Sequence, residues 1–495
     1  MFKKILVANR GEIALRIIRA CREMGIEAVA VYSDVDRDSL HVRFADEAYH
    51  IGQAQPDKSY LNFDKIIDVA RKSGADAIHP GYGFLAENHH FAARCEDEGI
   101  PFIGPKSETM ALVGDKIAAR QTVGKTDAPM IPGMTTTSRD FSEFEKFAEE
   151  IGYPVLLKAS MGGGGKGMRV AHSSEELKKA IEFGRKEAQS AFGDDTVYIE
   201  KYIQKPRHVE VQILADEHGN VLHAYERECS IQRRYQKIVE ESPSPALDDE
   251  TRQKMGEAAV KIAKAVGYTN AGTIEFLLDK DKNFYFLEVN ARIQVEHPVT
   301  ELVTGKGLVK AQIMVASGEK LPWTQEEITQ TGHAIEVRVY AEDPENNFMP
   351  SPGTVEYLIE PAGVGIRLDS GIYQGFTIPV HYDPIIAKLI VWAGDRRSCI
   401  ERMKRALKEY RIVGIKTTLK LLKQIMEDER FVSGNFNTHF LEEFTLQKEE
   451  IPLEKIAAIA AVSEEIVPRI HTSKGETEGI KSKWKLINRM RALQK

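Results

Sequence analysis

Leu287-Glu-Val-Asn-Ala-Arg-Ile-Gln-Val-Glu296 alternates without a break between apolar and polar side chains. Successive side chains of an extended segment point to opposite faces, so Leu287, Val289, Ala291, Ile293 and Val295 share one side. Glu288, Asn290, Arg292, Gln294 and Glu296 share the other. The pattern predicts a half-buried strand. An idle solvated face more often carries Lys, Thr and Ser. Acids, amides and an arginine in file instead offer oxygen ligands for a hard cation, a fork for an anion and a carboxylate base. We read this strand as the floor of a working site.

A second acid joins it. Ala271-Gly-Thr-Ile-Glu-Phe-Leu-Leu278 and Phe284-Tyr-Phe-Leu-Glu-Val-Asn290 are β-rich runs separated by the polar Asp279–Asn283, a hairpin signal. A tight turn centred on Asp281-Lys282 pairs residue 280 with 283 and sets Glu275 opposite Glu288. Opposed side chains share a face about 5 Å apart, where two unit charges repel by roughly 3 kcal/mol at an effective dielectric of 20. A divalent cation on nucleotide phosphates offsets that repulsion, and Mg²⁺ typically takes one or two carboxylates plus phosphate oxygens.

The 495 residues are enough for two to four domains. A net charge of -7 argues against a nucleic-acid-binding body. Cys21, Cys95, Cys229 and Cys399 stand far apart with no CxxC pair, which suits a reducing compartment and gives no zinc or disulfide pattern. No apolar run approaches a membrane span, and the N-terminus opens into a strand with no signal peptide pattern, so the expected location is cytoplasmic.

Lys4–Asn9 reads as a strand, residues 11–24 as a helix and Ala28–Ser33 as a second strand, a βαβ unit that makes the sheet open and parallel. Asn9-Arg-Gly-Glu12 has one glycine and lacks GxGxxG, which excludes a dinucleotide fingerprint. After the breaker-rich Pro129–Gly133 come a helix over 141–150, a strand over 153–160, the glycine loop Met161–Met168 and a strand at Arg169–Ala171. Ser173 and Glu176 form a capping box for the next helix, and Val197–Ile203 closes the unit. Two short strands joined by glycines and hung on a hinge have the form of a mobile lid. The glycines expose backbone N–H groups to a polyphosphate, although no GK[ST] makes this a Walker A loop. Arg233–Lys237 reads as a cationic loop, and Cys229 as a small core residue.

Asn9-Arg-Gly-Glu-Ile-Ala14, His79-Pro-Gly-Tyr-Gly-Phe-Leu-Ala-Glu-Asn88, Lys158 with Gly-Gly-Gly-Gly-Lys-Gly-Met168, Glu228-Cys-Ser-Ile-Gln-Arg-Arg234 and Glu288–Glu301 occur in one order. Together they resemble the biotin carboxylases, ATP-grasp enzymes, over roughly residues 1–445. The resemblance implies α/β and α+β architecture: an N-terminal open parallel α/β domain over 1–115 and an ATP-grasp domain over 116–317 with its lid at about 131–204. A C-terminal mixed β/α domain over 318–446 and an extension over 447–495 complete it.

By the same resemblance, ATP contacts fall on Lys116, Lys158, Gly164, Gly165, Glu200, Lys201, Ile203, His208, Gln232, Tyr235, Glu275 and Glu288. Two Mg²⁺ or Mn²⁺ ions are expected on Glu275, Glu288 and Asn290. Bicarbonate and biotin contacts fall on Arg292, Gln294, the Val295 backbone, Arg338 and Lys237, with Tyr82 on the wall and Glu296 as general base. Tyr235 departs from the family, where many members have histidine. No Ala-Met-Lys-Met biotinylation motif occurs, so the implied biotin sits on a partner carrier protein, with a carboxyltransferase elsewhere and a homodimer expected. The chain's extension past Glu449 favours pyruvate over acetyl-CoA as the final acceptor. Another ATP-grasp ligase shares the lid and the acids but need not carry the Arg-x-Gln-x-Glu row with Arg338, and a nucleotide sensor tolerates loss of Glu296.

Overall fold

β1 (Lys4–Val7), helix α1 (Gly11–Glu23) and β2 (Glu27–Ser33) form the expected parallel unit. The computed structural model describes residues 1–134, 140–160 and 168–447. β3 (Glu47–Gly52) and β4 (Ala77–His79) complete a four-stranded sheet in the order β3-β2-β1-β4. α1 buries Ile13, Leu15, Ile17 and Ile18. Each such side chain contributes about 1.5–3 kcal/mol through removal from water.

Between residues 141 and 201 lie helix Phe141–Ile151, β5 (Val155–Ala159), β6 (Arg169–Ala171), helix Ser174–Phe192 and β7 (Val197–Lys201). The three strands lie in the order β6-β5-β7, over a core of Phe144, Leu157, Leu177 and Ile199. Ser173 Oγ accepts from the Glu176 N–H at 3.3 Å, and the Glu176 carboxylate returns to the His172 N–H at 2.8 Å. The capping box is thus present with its return bond shifted by one residue. Gly164 and Gly165 lie outside the described residues, as does the extension from residue 448.

β8 (Arg207–Ala215), β9 (Val221–Arg233), β10 (Gln236–Ser242), β11 (Asn270–Leu278), β12 (Phe284–Asn290) and β13 (His333–Tyr340) build the body. With Ile385–Ala393 and Ile366–Ser370 they form one eight-stranded sheet in the order β12-β11-β8-β9-β10-β13, then those two strands. Every neighbouring pair in it is antiparallel. Val209, Val211, Ile213, Ile274 and Phe276 share a core with Met255, Ala259 and Ile262 of helix Asp249–Ala265, which leaves the alternate side chains for the other face. A second core joins β13 and Ile385–Ala393 to helices Arg396–Glu409 and Leu419–Glu427. Residues Met1–Leu446 form one compact unit. Among the described residues no helix is long and apolar enough to cross a membrane.

Three details correct the sequence reading. The long alternating ribbon is not a single strand: β12 stops at Asn290. There the Tyr268 hydroxyl donates to the Asn290 carbonyl at 3.3 Å, and the Ala291 N–H donates to Glu87 at 3.2 Å. Side chains therefore take the backbone groups that another rung would use. Residues 291–296 form a connector into helix His297–Thr304.

The hairpin turn is also one residue off the expected register, because the Asp279 N–H donates to the Asn283 carbonyl and Lys282 sits at φ 63°. A β-bulge then restores the pairing, since Phe276 faces Phe286 while Glu275 faces Glu288. The extra residue, Leu287, lets Phe286 and Val289 enter the same core. Arg233–Lys237, finally, is no open loop. Arg233 pairs with Gln236 around Arg234 (φ 50°) and Tyr235 (φ 66°), so Lys237 stands on β10.

Candidate active site

The polar file that matters runs across the sheet. Glu288 on β12 faces Glu275 on β11, Glu275 faces Glu210 on β8, and Glu210 faces Arg227 on β9. Opposed residues share a face, so three carboxylates and a guanidinium stand side by side over four strands. Arg227 is fully buried and gives its donors to Glu210 (2.6 Å), Gln212 (2.8 Å), Thr300 (3.0 Å) and Thr273 (3.2 Å). Lys237 Nζ reaches over this row to Glu210 at 2.6 Å, Glu275 at 3.0 Å and Glu296 at 2.7 Å. Burial disfavours its charge, but Glu210, Glu275 and Glu296 outweigh burial and hold the ammonium well above the usual lysine range.

Glu296 caps the connector at the start of helix His297–Thr304 and is fully buried. Arg338 of β13 donates to its other oxygen at 2.8 Å and to Glu240 at 2.6 Å. Burial raises the Glu296 carboxyl, while Lys237, Arg338 and Arg227 overcome that and hold it well below the ordinary carboxylate range. The acids of the β11–β12 pair are driven apart. Burial raises Glu275, but Lys237 and His208 lower it further; Glu288 is raised by desolvation and then by the Glu275 charge opposite.

Of the expected nucleotide residues, Lys116 and His208 approach the acids of this row. Lys116, at the start of helix Lys116–Val123, lies 3.9 Å from Glu288. Desolvation first, then the nearby Lys158 charge, lowers its ammonium. Lys158 on β5 meets Glu200 on β7 at 2.5 Å, and Arg120 meets the other Glu200 oxygen at 3.2 Å. His208 Nε2 stands 2.8 Å from Glu275, and Gln232 Nε2 is 2.6 Å from His208 Nδ1. Lys201 Nζ donates to the carbonyls of Gly152 (2.8 Å) and Tyr153 (3.2 Å), so it ties the end of helix Phe141–Ile151 to β7. Ile203 follows β7 in a half-buried loop, and Tyr235 is 61% exposed at its turn.

On the connector, Arg292 donates to Glu87 at 2.8 Å and to Gln294 Oε1 at 2.8 Å. The buried Gln294 Nε2 and Asn290 Nδ2 find no partner among the described residues. The Val295 carbonyl accepts from Lys388 at 2.9 Å, and the Tyr82 ring lies 5.7 Å from the same ammonium.

Glu210, Arg227, Glu240, Glu87 and Lys388 were not singled out from the sequence. A signal existed for Glu210: in His208-Val-Glu-Val-Gln-Ile213 it is the middle of an alternating polar face. The others owe their place to partners far away in the chain.

Family models described as biotin carboxylase N-terminal domain, carbamoyl-phosphate synthase L chain ATP-binding domain and biotin carboxylase C-terminal domain match residues 1–110, 115–324 and 336–443. Biotin carboxylase 1 of Bacillus subtilis is 55% identical over 445 residues, 90% of this chain and 99% of that protein. The chain belongs to the biotin carboxylase family. A pyruvate carboxylase subunit of Methanothermobacter thermautotrophicus is 52% identical over 481 residues, covering 93% of this chain and 98% of its own. Among solved structures, the biotin carboxylase domain dimer of Hydrogenobacter thermophilus 2-oxoglutarate carboxylase, in complex with MgADP, ADP and bicarbonate, superposes with a TM-score of 0.87. It is 50% identical and covers 91% of this chain and all of that one. In this family member Glu210, Glu275, Glu296 and Lys237 converge from four separate segments, β8, β11, the connector and β10.

Proposed function

We propose that this chain uses ATP and bicarbonate to carboxylate biotin carried on a partner protein, by way of carboxyphosphate. The observation that carries the reading is the Glu296 carboxylate held between Lys237 and Arg338, beside the opposed acids Glu275 and Glu288. Those two acids, with the Asn290 amide at the end of β12, are hard oxygen donors whose mutual repulsion a cation relieves; they fit Mg²⁺ or Mn²⁺. Such an ion supplies charge neutralisation for the nucleotide phosphates.

Glu296 takes the bicarbonate proton, and the bicarbonate oxygen attacks the γ-phosphorus of ATP as ADP leaves. Two cations now hold Glu296 in its ionised form, which makes it a weak base. Bound phosphate and bicarbonate draw Lys237 and Arg338 toward themselves, and the carboxylate gains basicity as they do. Phosphoryl transfer needs little beyond positioning and charge compensation, which Lys116, Lys158, Lys237, Arg292 and the acids supply. Carboxyphosphate breaks into CO₂ and phosphate. The phosphate accepts the ureido N–H proton, the freed nitrogen attacks CO₂, and Arg338 stabilises the charge on the ureido oxygen. Tyr82 walls the biotin end, and Gln294 with the Val295 backbone holds bicarbonate.

On this reading the N-terminal domain covers 1–115, the ATP-grasp domain 116–317 with its lid at about 131–204, the C-terminal domain 318–446 and an extension 447–495; the family-model spans support the order of the three domains. Glu200, Lys201, Ile203, His208, Gln232 and Tyr235 contact the nucleotide together with Gly164 and Gly165. A carrier protein and a carboxyltransferase are the partners, and the named dimer of the Hydrogenobacter domain supports a homodimer. Four buried free thiols support a cytoplasmic setting. The match over 93% of the chain to a pyruvate carboxylase subunit favours pyruvate as acceptor. The test is ATP cleavage with bicarbonate, with and without free biotin: stimulation by biotin is expected, and a requirement for an amine or another carboxylate instead overturns the reading.

A further inference from the structure

Lys388 is a fully buried lysine that the reaction outlined above does not use. It sits on the strand Ile385–Ala393, directly opposite Arg338 on β13 on one side and Asp369 on the other. Opposed side chains share a face, so Arg338 and Lys388 are neighbouring cations on adjacent strands. They grip consecutive residues of the connector: Arg338 binds the Glu296 carboxylate at 2.8 Å, and Lys388 donates to the Val295 carbonyl at 2.9 Å. Lys388 is also 3.2 Å from Glu12 of α1 and 3.9 Å from Asp369.

A buried ammonium is costly unless it is paired and its donors are used. The acids around this one neutralise it, yet its shortest bond goes to a backbone carbonyl of the segment that carries Arg292, Gln294 and Glu296. That segment has left the sheet at Asn290 and has no ladder to fix it. Its other fastenings are side chains as well: Glu87 on the Ala291 N–H and on Arg292, and His297 Nδ1 at 2.8 Å from the Gln294 carbonyl. A shift of about 1 Å in such a segment moves a bound reactant out of line.

We propose that Lys388 is a positioning residue for the bicarbonate end of the site: by holding the Val295 carbonyl it fixes the connector so that Arg292, Gln294 and Glu296 converge on one anion. Through Glu12 the same lysine ties that connector to the N-terminal domain. The inference rests on the biotin carboxylase reading, and it concerns bicarbonate rather than nucleotide, because Lys116, Lys158, Glu275 and Glu288 stand on other elements.

Lys388→Met keeps the length of the side chain and removes its donor. Glu12 tolerates the loss, since burial, opposed by Lys388, already pushes its carboxyl up to about 7 and lets it protonate. The full-length chain is assayed for biotin-dependent ATP cleavage while bicarbonate is varied, and MgADP binding is measured by calorimetry. The bicarbonate KM is expected to rise about 10- to 100-fold, the size of a lost hydrogen bond from a charged donor, with MgADP affinity held. Glu12→Gln, which alters the anchor and leaves the ammonium, is expected to give a smaller rise in the same constant and serves alone if Lys388→Met does not fold. An unchanged bicarbonate KM in the folded variants overturns the proposal. So does a parallel loss of MgADP affinity, which marks a merely structural role. Absence of biotin-stimulated turnover in the unaltered chain sinks the functional reading itself, a separate result.

Discussion

Glu210 and Glu275 face each other across the β8–β11 pair, and one ammonium, Lys237 Nζ, lies 2.6 Å from the first and 3.0 Å from the second. A third acid, Glu296, meets the same nitrogen at 2.7 Å. Removing the cation leaves three buried carboxylates facing one another. Breaking a buried ion pair from one side costs about 3–5 kcal/mol. Lys237→Gln is therefore expected to lower Tm and abolish biotin-dependent turnover. Adding Glu275→Gln removes one of those charges and leaves Arg227 its Glu210 partner, so the double variant should regain part of the Tm without regaining activity. Equal Tm values for the single and double variants would contradict the shared-cation account; differential scanning calorimetry reads the difference.

Glu296→Gln keeps the shape of the side chain and both cations but removes the base. Loss of a positioned base costs about 100- to 10,000-fold in rate. Biotin-dependent ATP cleavage should fall by that order while MgADP binding, measured by calorimetry, stays. Turnover equal to the unaltered chain would refute the assignment.

The sequence showed the Glu275–Glu288 pairing, though by compensating errors: the turn begins one residue earlier than expected, and the bulge at Leu287 undoes the difference. A bulge leaves no mark in an alternation that stays regular on either side of it. The connector misled for a related reason. Arg292, Gln294 and Glu296 keep a period of two, yet what ends β12 is the bonding of the Tyr268 and Glu87 side chains to its backbone, a tertiary event. Lys237 reads as a loop lysine because Arg234 and Tyr235 lack the glycine or asparagine that usually marks so tight a turn. The parallel N-terminal sheet, by contrast, follows from local pattern alone, since a strand, an amphipathic helix and a strand leave one arrangement open.

Glu288→Lys and Arg338→Ser separate the two ends of the site. The first places a cation opposite Glu275, where a metal-bound nucleotide is proposed, and should remove MgADP binding together with turnover. The second frees Glu296 and Glu240 from their shared guanidinium, and should abolish biotin-dependent cleavage while nucleotide binding persists. Calorimetric titration with MgADP distinguishes them, and retained binding in Glu288→Lys would move the metal site elsewhere.

Tyr235 holds φ 66° in the turn between β9 and β10, a conformation that costs a side chain with a β-carbon about 1–2 kcal/mol. Glycine adopts it freely. Tyr235→Gly should therefore leave Tm unchanged or raised. If this tyrosine serves the nucleotide, the KM for ATP should rise in the same variant. Raised Tm with unaltered ATP kinetics would leave Tyr235 as a turn residue alone.

His41 sets a pH limit on stability far from the reaction. Its ring is buried, with Nε2 3.3 Å from the Val31 carbonyl. Burial first, and Arg10 after it, lowers its pKa from 6.5 to about 4, against the opposing pull of Asp36. The unfolded chain thus binds this proton at a higher pH than the folded one does. The stability tied to a neutral His41 is full above pH 6.5 and drains away as the pH falls toward 4, by about 1.36 kcal/mol for each pH unit and about 3 kcal/mol in all. His41→Gln retains an N–H for Val31 and has no proton to gain. Urea melts from pH 7.5 to 4 should show a shallower acid loss in the variant by that amount; parallel curves would mean that other groups set the acid limb.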